Sequence, residues 1–191
     1  MFTDRRQGTK GSRILIGITG AAPGMGVTHL TMMLAGYSAA IQRRKTAVVE
    51  LGGDHVLSGI RDTAGRLTCY CDYTENRMSE VLKKDYEVIL LDCGSTYYRI
   101  RRELLYCDKK LVIGSLIPWR KQEYLDFILD EMGEDILAQN MILLTANGIK
   151  SDKKEFVKTV KMPVYDIPYV PDPFHIGKDQ YEFVQHFLNM P

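Results

Sequence analysis

The chemistry-bearing stretch is Thr19-Gly20-Ala21-Ala22-Pro23-Gly24-Met25-Gly26-Val27-Thr28-His29, which follows the apolar run Ile14 to Ile18 and opens a helical pattern. A strand that runs through a glycine-rich turn into a helix N-terminus is suited to anions. Glycines let the backbone approach a phosphate, and the unsatisfied N–H groups and helix dipole favour negative charge. Aligned on the phosphate-loop pattern G-x-x-x-x-G-K-[ST], the frame is Ala21 to Thr28, with Gly26 and Thr28 in place and Val27 where the lysine belongs. The loop therefore keeps backbone donors and a hydroxyl for Mg²⁺, but lacks the cation that neutralises the β- and γ-phosphates. His29, at the helix start, is a candidate for some of that charge.

Further polar candidates close other apolar runs. Glu50 ends TAVVE, and Asp54 follows the Gly52-Gly53 turn. Asp92 ends VILLD, Asn147 follows MILLTA, and Asp172 lies between Pro171 and Pro173. These segments after the strands are the candidate ligand-binding positions, and the Thr28 hydroxyl is a candidate to orient Mg²⁺.

These positions require an alternating α/β chain. Strands are predicted at 13–19, 46–50, 67–73, 88–92, 111–117, 141–146 and 164–167. Their short β-branched or aliphatic runs read as strands covered on both faces. Helices are predicted from Thr28 (Leu30, Met33, Leu34, Tyr37 and Ile41 inward), after Gly52 to about Arg61, and at Thr74–Lys84 with Thr74 as N-cap. Others are predicted at Arg99–Tyr106, Gln122–Met132, Ser151–Val160 and Asp179–Leu188. Strict alternation implies a three-layer fold, a parallel sheet with helices on both faces. Ligands in such sheets bind beyond the carboxyl ends of the strands, where strand order reverses.

The chain has 191 residues, 45% hydrophobic and 26% charged, with net charge +1. That length suits one domain over 13–191, preceded by a flexible basic arm at 1–12. A balanced charge gives no electrostatic case for nucleic acid or an anionic membrane. No apolar run reaches the ~18 residues of a membrane span, and no signal-peptide pattern is present. The closing helix carries Phe183, Val184, Phe187 and Leu188 but no Lys or Arg after Lys178, so no stable membrane anchor is expected. The four cysteines have neither zinc nor CxxC spacing and read as free thiols in a cytoplasmic protein.

Two family resemblances bear on the loop. Thr19-Gly20-Ala21-Ala22-Pro23-Gly24-Met25-Gly26 is similar to the TGxxxGxG turn of short-chain dehydrogenases, and Tyr106 and Lys110 have that family's YxxxK spacing. This implies an NAD(P)-binding oxidoreductase as one alternative. Over nearly its full length, the chain resembles the MinD/ParA group of deviant Walker-type P-loop ATPases. GITGAAPGMGVTHL stands where those have a KGGVGKT loop, and VVELGGD where they have the switch I aspartates. VILLDCG stands at switch II, LVIGSLIPWR at a strand leading into a helix, LLTANGI at the strand ending in Asn, and IPYVPDP at the loop near adenine.

The second resemblance implies ATP or ADP with Mg²⁺ as ligand, a protein partner, a homodimer, and contacts by Arg99, Arg101 and Arg102 near switch II. It also implies Thr28 and Asp92 on the metal side, Asp92, Glu50 and Asp54 as catalytic candidates, and Asn147 and Asp172 toward the base. Both of that group's lysines are absent, with Ala22 at the signature position and Val27 at the P-loop position. Phosphoryl transfer relies on positioning and charge stabilisation. Loss of both lysines removes several kcal/mol, on the scale of a lost oxyanion donor. The expectation is a degenerate member, similar to the pilus-localisation relatives (TadZ/CpaE-like). It would be a partner-binding scaffold or positioning factor with weak or no ATPase activity. The remaining alternative is an active ATPase of this type.

Overall fold

The computed structural model describes residues 13–52, 55–60, 65–71, 74–95, 97–132 and 138–189. The proposed arm at 1–12 and Asp54 lie outside them. Seven parallel strands form one sheet: β1 (Ile14–Gly20), β2 (Thr46–Glu50), β3 (Leu67–Tyr70), β4 (Val88–Asp92), β5 (Lys109–Gly114), β6 (Met141–Thr145) and β7 (Val164–Asp166). The spatial order is β3-β2-β4-β1-β5-β6-β7. The central strand β1 therefore lies between β4 and β5. The chain leaves it toward β2 on one side and later returns to β5 on the other, so the switch point falls at the carboxyl end of β1.

Side-chain alternation along the strands divides the core in two. On one face Ile16, Ile18, Val48, Leu90, Leu111 and Ile113 pack with helix α1 (Val27–Gly36) and helix α6 (Lys178–Asn189), through Leu30, Met33, Leu34, Val184 and Phe187. On the other face Leu15, Val49, Ile89, Leu91, Val112 and Leu143 meet helices α2 (Glu75–Lys83), α3 (Tyr97–Leu105), α4 (Lys121–Met132) and α5 (Lys150–Val160). Their contributions include Val81, Leu104, Tyr124, Ile128, Phe156 and Val160. Thr74 caps α2 as expected, its hydroxyl accepting the Arg77 N–H at 3.1 Å.

Three departures from the sequence expectation have clear causes. The helix begun by α1 widens to a π-helical stretch at Tyr37–Ile41, closed by the Gln42 N–H to Tyr37 O bond of 3.1 Å. The extra residue per turn rotates Ile41 off the inward face, and it is 48% exposed. The segment after Gly52 makes turns at 56–59 rather than a helix, with Ser58 N–H on His55 O and Ile60 N–H on Leu57 O.

The third departure is that β5 begins at Lys109, two residues before its apolar run. Lys109 and Lys110 are buried there. The Lys109 Nζ donates to Phe187 O at 2.8 Å, in the last turn of α6, and the Lys110 Nζ donates to Gln139 O at 2.6 Å. Phe187 O is one of the last carbonyls of α6, and an ammonium suits a helix C-terminus. Burial lowers the pKa of Lys109 to about 8, with Asp108 opposing and Arg44 reinforcing the shift.

A depressed lysine makes stability depend on pH. Above about 8 the folded state sheds the Lys109 proton while the unfolded chain holds it to near 10.5, so stability rises with pH across that window. Thermal unfolding of wild type and Lys109→Met from pH 7 to 10.5 should show a steeper rise in wild type, the buried Lys110 leaving a smaller rise of the same sign in the variant. Parallel curves for the two proteins would refute it.

Candidate functional site

The loop after β1 is positioned by the sheet itself. Gly20 N–H bonds to Gly94 O and Ala21 N–H to Ile113 O, each at 2.9 Å, tying the loop's start to the ends of β4 and β5. The turn then needs two left-handed residues, Gly24 (φ 77°) and Gly26 (φ 84°), which only glycine adopts without strain. Gly26 is the N-cap of α1, and the first helical bond runs from Leu30 N–H to Gly26 O at 3.0 Å. The N–H groups of Val27, Thr28 and His29 therefore have no intrahelical acceptor and lie at the positive end of the helix dipole.

The side chains of this turn do the reverse of what a triphosphate needs. Ala22 and Met25 are 8% exposed and Val27 is 6% exposed, all packed into the α1 side of the core. A methyl placed on Gly20 would meet Met25 Cβ and Val27 Cγ2 at 3.1 Å and Ala22 O at 3.0 Å. The inside of the loop is thus closed by its own apolar side chains around a bare Gly20. Thr28 and His29 remain half-exposed on the first turn.

The two described acids lie side by side, with Glu50 in register with Asp92, which is also in register with Ile18. Each is 2% exposed. The Glu50 carboxylate accepts the N–H groups of Val56 at 2.9 Å and Leu57 at 3.2 Å, so it anchors the turn after β2. Asp92 Oδ1 accepts Gly94 N–H at 3.2 Å, within the turn that also receives Gly20 N–H. Asp92 therefore holds the turn after β4, on whose Gly94 carbonyl the glycine loop's first N–H rests. Burial pushes the neighbouring Cys93 thiol well up, leaving it unreactive.

The base-side candidates sit on the adjoining loops. Asn147 is exposed, and its carbonyl receives Leu116 N–H at 3.0 Å and the Thr145 hydroxyl at 2.8 Å. Asp172 accepts Phe174 N–H at 2.9 Å and pairs with His175 Nδ1 at 2.6 Å. These bonds, the Phe174 one foremost, hold its carboxyl below the usual carboxylate range, with a smaller contribution from His29. The 168–177 loop approaches the far end of α1, where a methyl on Gly36 would lie 3.7 Å from Pro173 O. Of the three arginines after β4, Arg101 is half-buried and Arg102 exposed on α3. Among the described residues, no cluster of His, Cys, Asp and Glu is arranged to hold a metal by itself.

Sequence reasoning offers Arg120 only as part of a Trp119-Arg120-Lys121 contact surface or rim, and misses its tie to the glycine loop. Arg120 lies between β5 and α4 and donates its Nη2 to Pro23 O at 2.9 Å, from 97 residues away in the chain. The sequence signal was only a Trp-Arg-Lys triplet after a strand, with nothing to pair it to the loop.

Topology decides between the two family resemblances. In a dinucleotide fold of the 3-2-1-4-5-6 type, β1 lies beside β2; here β4 separates them. Tyr106 follows α3 in a turn, and Lys110 is buried in β5, so the pair shares no helical face. Solved structures agree. The chain matches a ParA family ATPase from Chlorobium tepidum TLS (TM-score 0.64, 11% identity, 84% of this chain and 86% of that one). It matches the MinD cell division protein of Aquifex aeolicus (TM-score 0.59, 19% identity, 91% and 86%). It also matches a putative plasmid partition protein from Borrelia burgdorferi B31 bound to AMPPNP (TM-score 0.65, 15% identity, 93% and 97%).

The chain has the ParA/MinD fold. The Aquifex aeolicus MinD has also been solved as a MinC:MinD complex. No family model and no curated protein matches the sequence. In this ParA/MinD-like chain, the glycine loop lies at the switch point, at the carboxyl end of the central strand. No helix among the described residues is long and apolar enough to cross a membrane.

Proposed function

We propose that this chain is a P-loop-fold scaffold or positioning factor that acts by docking a protein partner, with weak nucleotide affinity and little or no ATP hydrolysis. The observation that carries the reading is Val27, which occupies the lysine position and turns into the core, so the phosphate cradle keeps its amides without the charge. In a water-excluded site that charge does most of the protein's work on a transferring phosphoryl group. ADP or ATP with Mg²⁺ would meet the N–H groups of Gly24 to His29, with Thr28 and Asp92 on the metal side and Asn147 and Asp172 toward the base. A protein of similar fold from Borrelia burgdorferi is bound to AMPPNP, which supports an adenine nucleotide as the ligand class.

Partner docking is supported at the same edge. Trp119, Ile149 and Tyr169 follow the adjacent strands β5, β6 and β7 and are 78%, 65% and 87% exposed. Large apolar side chains gathered on one rim mark interaction surfaces. The complex of MinD with MinC is a precedent in a protein of similar fold. The protein would work in the cytoplasm, alone or as a homodimer. A role in pilus localisation or cell positioning, as in TadZ/CpaE-like proteins, belongs to the same proposal.

Thermal unfolding with ATP–Mg²⁺, ADP and NADPH, beside a phosphate-release assay, tests the reading. The expected result is at most a small shift with adenine nucleotides, since ligand at its Kd adds only ~0.4 kcal/mol. No shift with NADPH and no turnover are expected. Steady ATP turnover would overturn the scaffold reading, and a shift with NADPH alone would overturn the nucleotide assignment.

A further inference from the structure

The loop that lost both lysines has a guanidinium against it. Arg120 Nη2 donates to Pro23 O at 2.9 Å, and Nε donates to Glu123 Oε2 at 3.1 Å. Pro23 immediately precedes the Gly24-Met25-Gly26 turn, whose following N–H groups open α1. Nη1 has no protein acceptor among the described residues. Arginine is the cation suited to this position: always charged, planar, and able to hold one acceptor while offering a second N–H pair to a phosphate. Its competitor, Glu123, is an i,i+3 partner 52% exposed, and such exposed pairs hold weakly.

We infer that Arg120 is the phosphate-binding cation of this loop, standing in from the β5–α4 segment for the charge absent at Ala22 and Val27. The ligand class is a di- or triphosphate. The carbonyl bond to Pro23 keeps the guanidinium at the loop when no anion is present. Because the cation is anchored to the loop's shoulder and not to the helix's first turn, it serves binding more than transfer. The inference rests on reading Gly20–Thr28 as an anion cradle.

Calorimetric titration with ADP and with pyrophosphate tests it on the full chain. Wild type should bind both weakly. Arg120→Gln should weaken binding at least tenfold, Arg120→Lys about threefold, and Glu123→Gln should tighten it severalfold by freeing the guanidinium. Glu123→Gln keeps the test open if loss of the Pro23 bond destabilises the Arg120 variants, because it acts in the opposite direction. Equal affinity in wild type and Arg120→Gln overturns the inference. If wild type binds neither probe but Val27→Lys binds both, the cradle reading stands and the Arg120 inference falls. If a folded Val27→Lys also binds neither, both fall.

Discussion

Gly114→Ala is expected to cost at least ~3 kcal/mol, the upper range for overpacking a core, and to leave little folded protein. A methyl on Gly114 would lie 2.1 Å from Tyr124 Cγ and 2.2–2.3 Å from its ring carbons. That ring cannot yield. Tyr124 is fully buried, stacks on Phe156 at 4.9 Å, and its hydroxyl donates toward Leu144 O at 3.0 Å and Val112 O at 3.2 Å. Moving it breaks the hydrogen bond between α4 and two adjacent strands, and leaves buried polar atoms unsatisfied at ~1–3 kcal/mol each. Gly59→Ala is the control, because its added methyl meets nothing within 4 Å and its backbone is not left-handed. Denaturant midpoints should separate the two by most of the protein's stability. A folded Gly114→Ala with a wild-type midpoint would show that the contact between β5 and α4 is not close-packed.

The second large effect is a gain. Val27→Lys should raise ADP affinity at least tenfold, about 1.4 kcal/mol, close to the lower end of the ~1.5–3 kcal/mol of a hydrogen bond to a charged group. The cost side is the apolar pocket that Val27 now fills. A lysine stem can cover much of that surface while its ammonium extends outward, so a stability loss of ~1 kcal/mol is expected from imperfect repacking. Hydrolysis should stay low, because Ala22 still leaves the signature position neutral. Titration calorimetry and phosphate release measure the two separately. Unchanged affinity in a folded Val27→Lys would remove the phosphate-loop frame.

The strands were legible because each is covered on both faces. VILLD and MILLT must be buried whatever their order, and aliphatic runs of that length have few other uses. Their spatial order was not legible. Nothing local tells β4 to slip between β1 and β2, and that insertion excludes the dinucleotide topology. The start of β5 was hidden because Lys109 and Lys110 look like surface residues until their acceptors arrive, Phe187 O from the last turn of α6 and Gln139 O from the turn before β6. The π-helical widening at Tyr37–Ile41 was hidden for a similar reason. There Tyr37 is held by Gln185 Nε2 at 2.6 Å and by the Tyr181 ring at 5.0 Å, contacts from the far end of the chain.

At the site, the glycine spacing carried the loop's backbone and the missing charge, since both are properties of consecutive residues. Glu50 is a catalytic candidate in the sequence because it closes a strand at the switch I position. The structure engages it with Val56 and Leu57 N–H groups, a local use that a carboxylate at that place serves equally well. Arg120 could not be read, because the bond that gives it meaning spans 97 positions.

The outermost strands constrain how this protein meets others. β3 has four residues and β7 three, and their outer rows of N–H and C=O groups are too short to template a further strand. A neighbouring chain would gain few ladder bonds at either margin and pay the full cost of ordering itself there. Extension of the sheet into a continuous intermolecular one is therefore disfavoured, even at high local concentration. Any assembly this protein joins must be built from its loops and helices, so the number of copies is set by surface chemistry that single substitutions can tune.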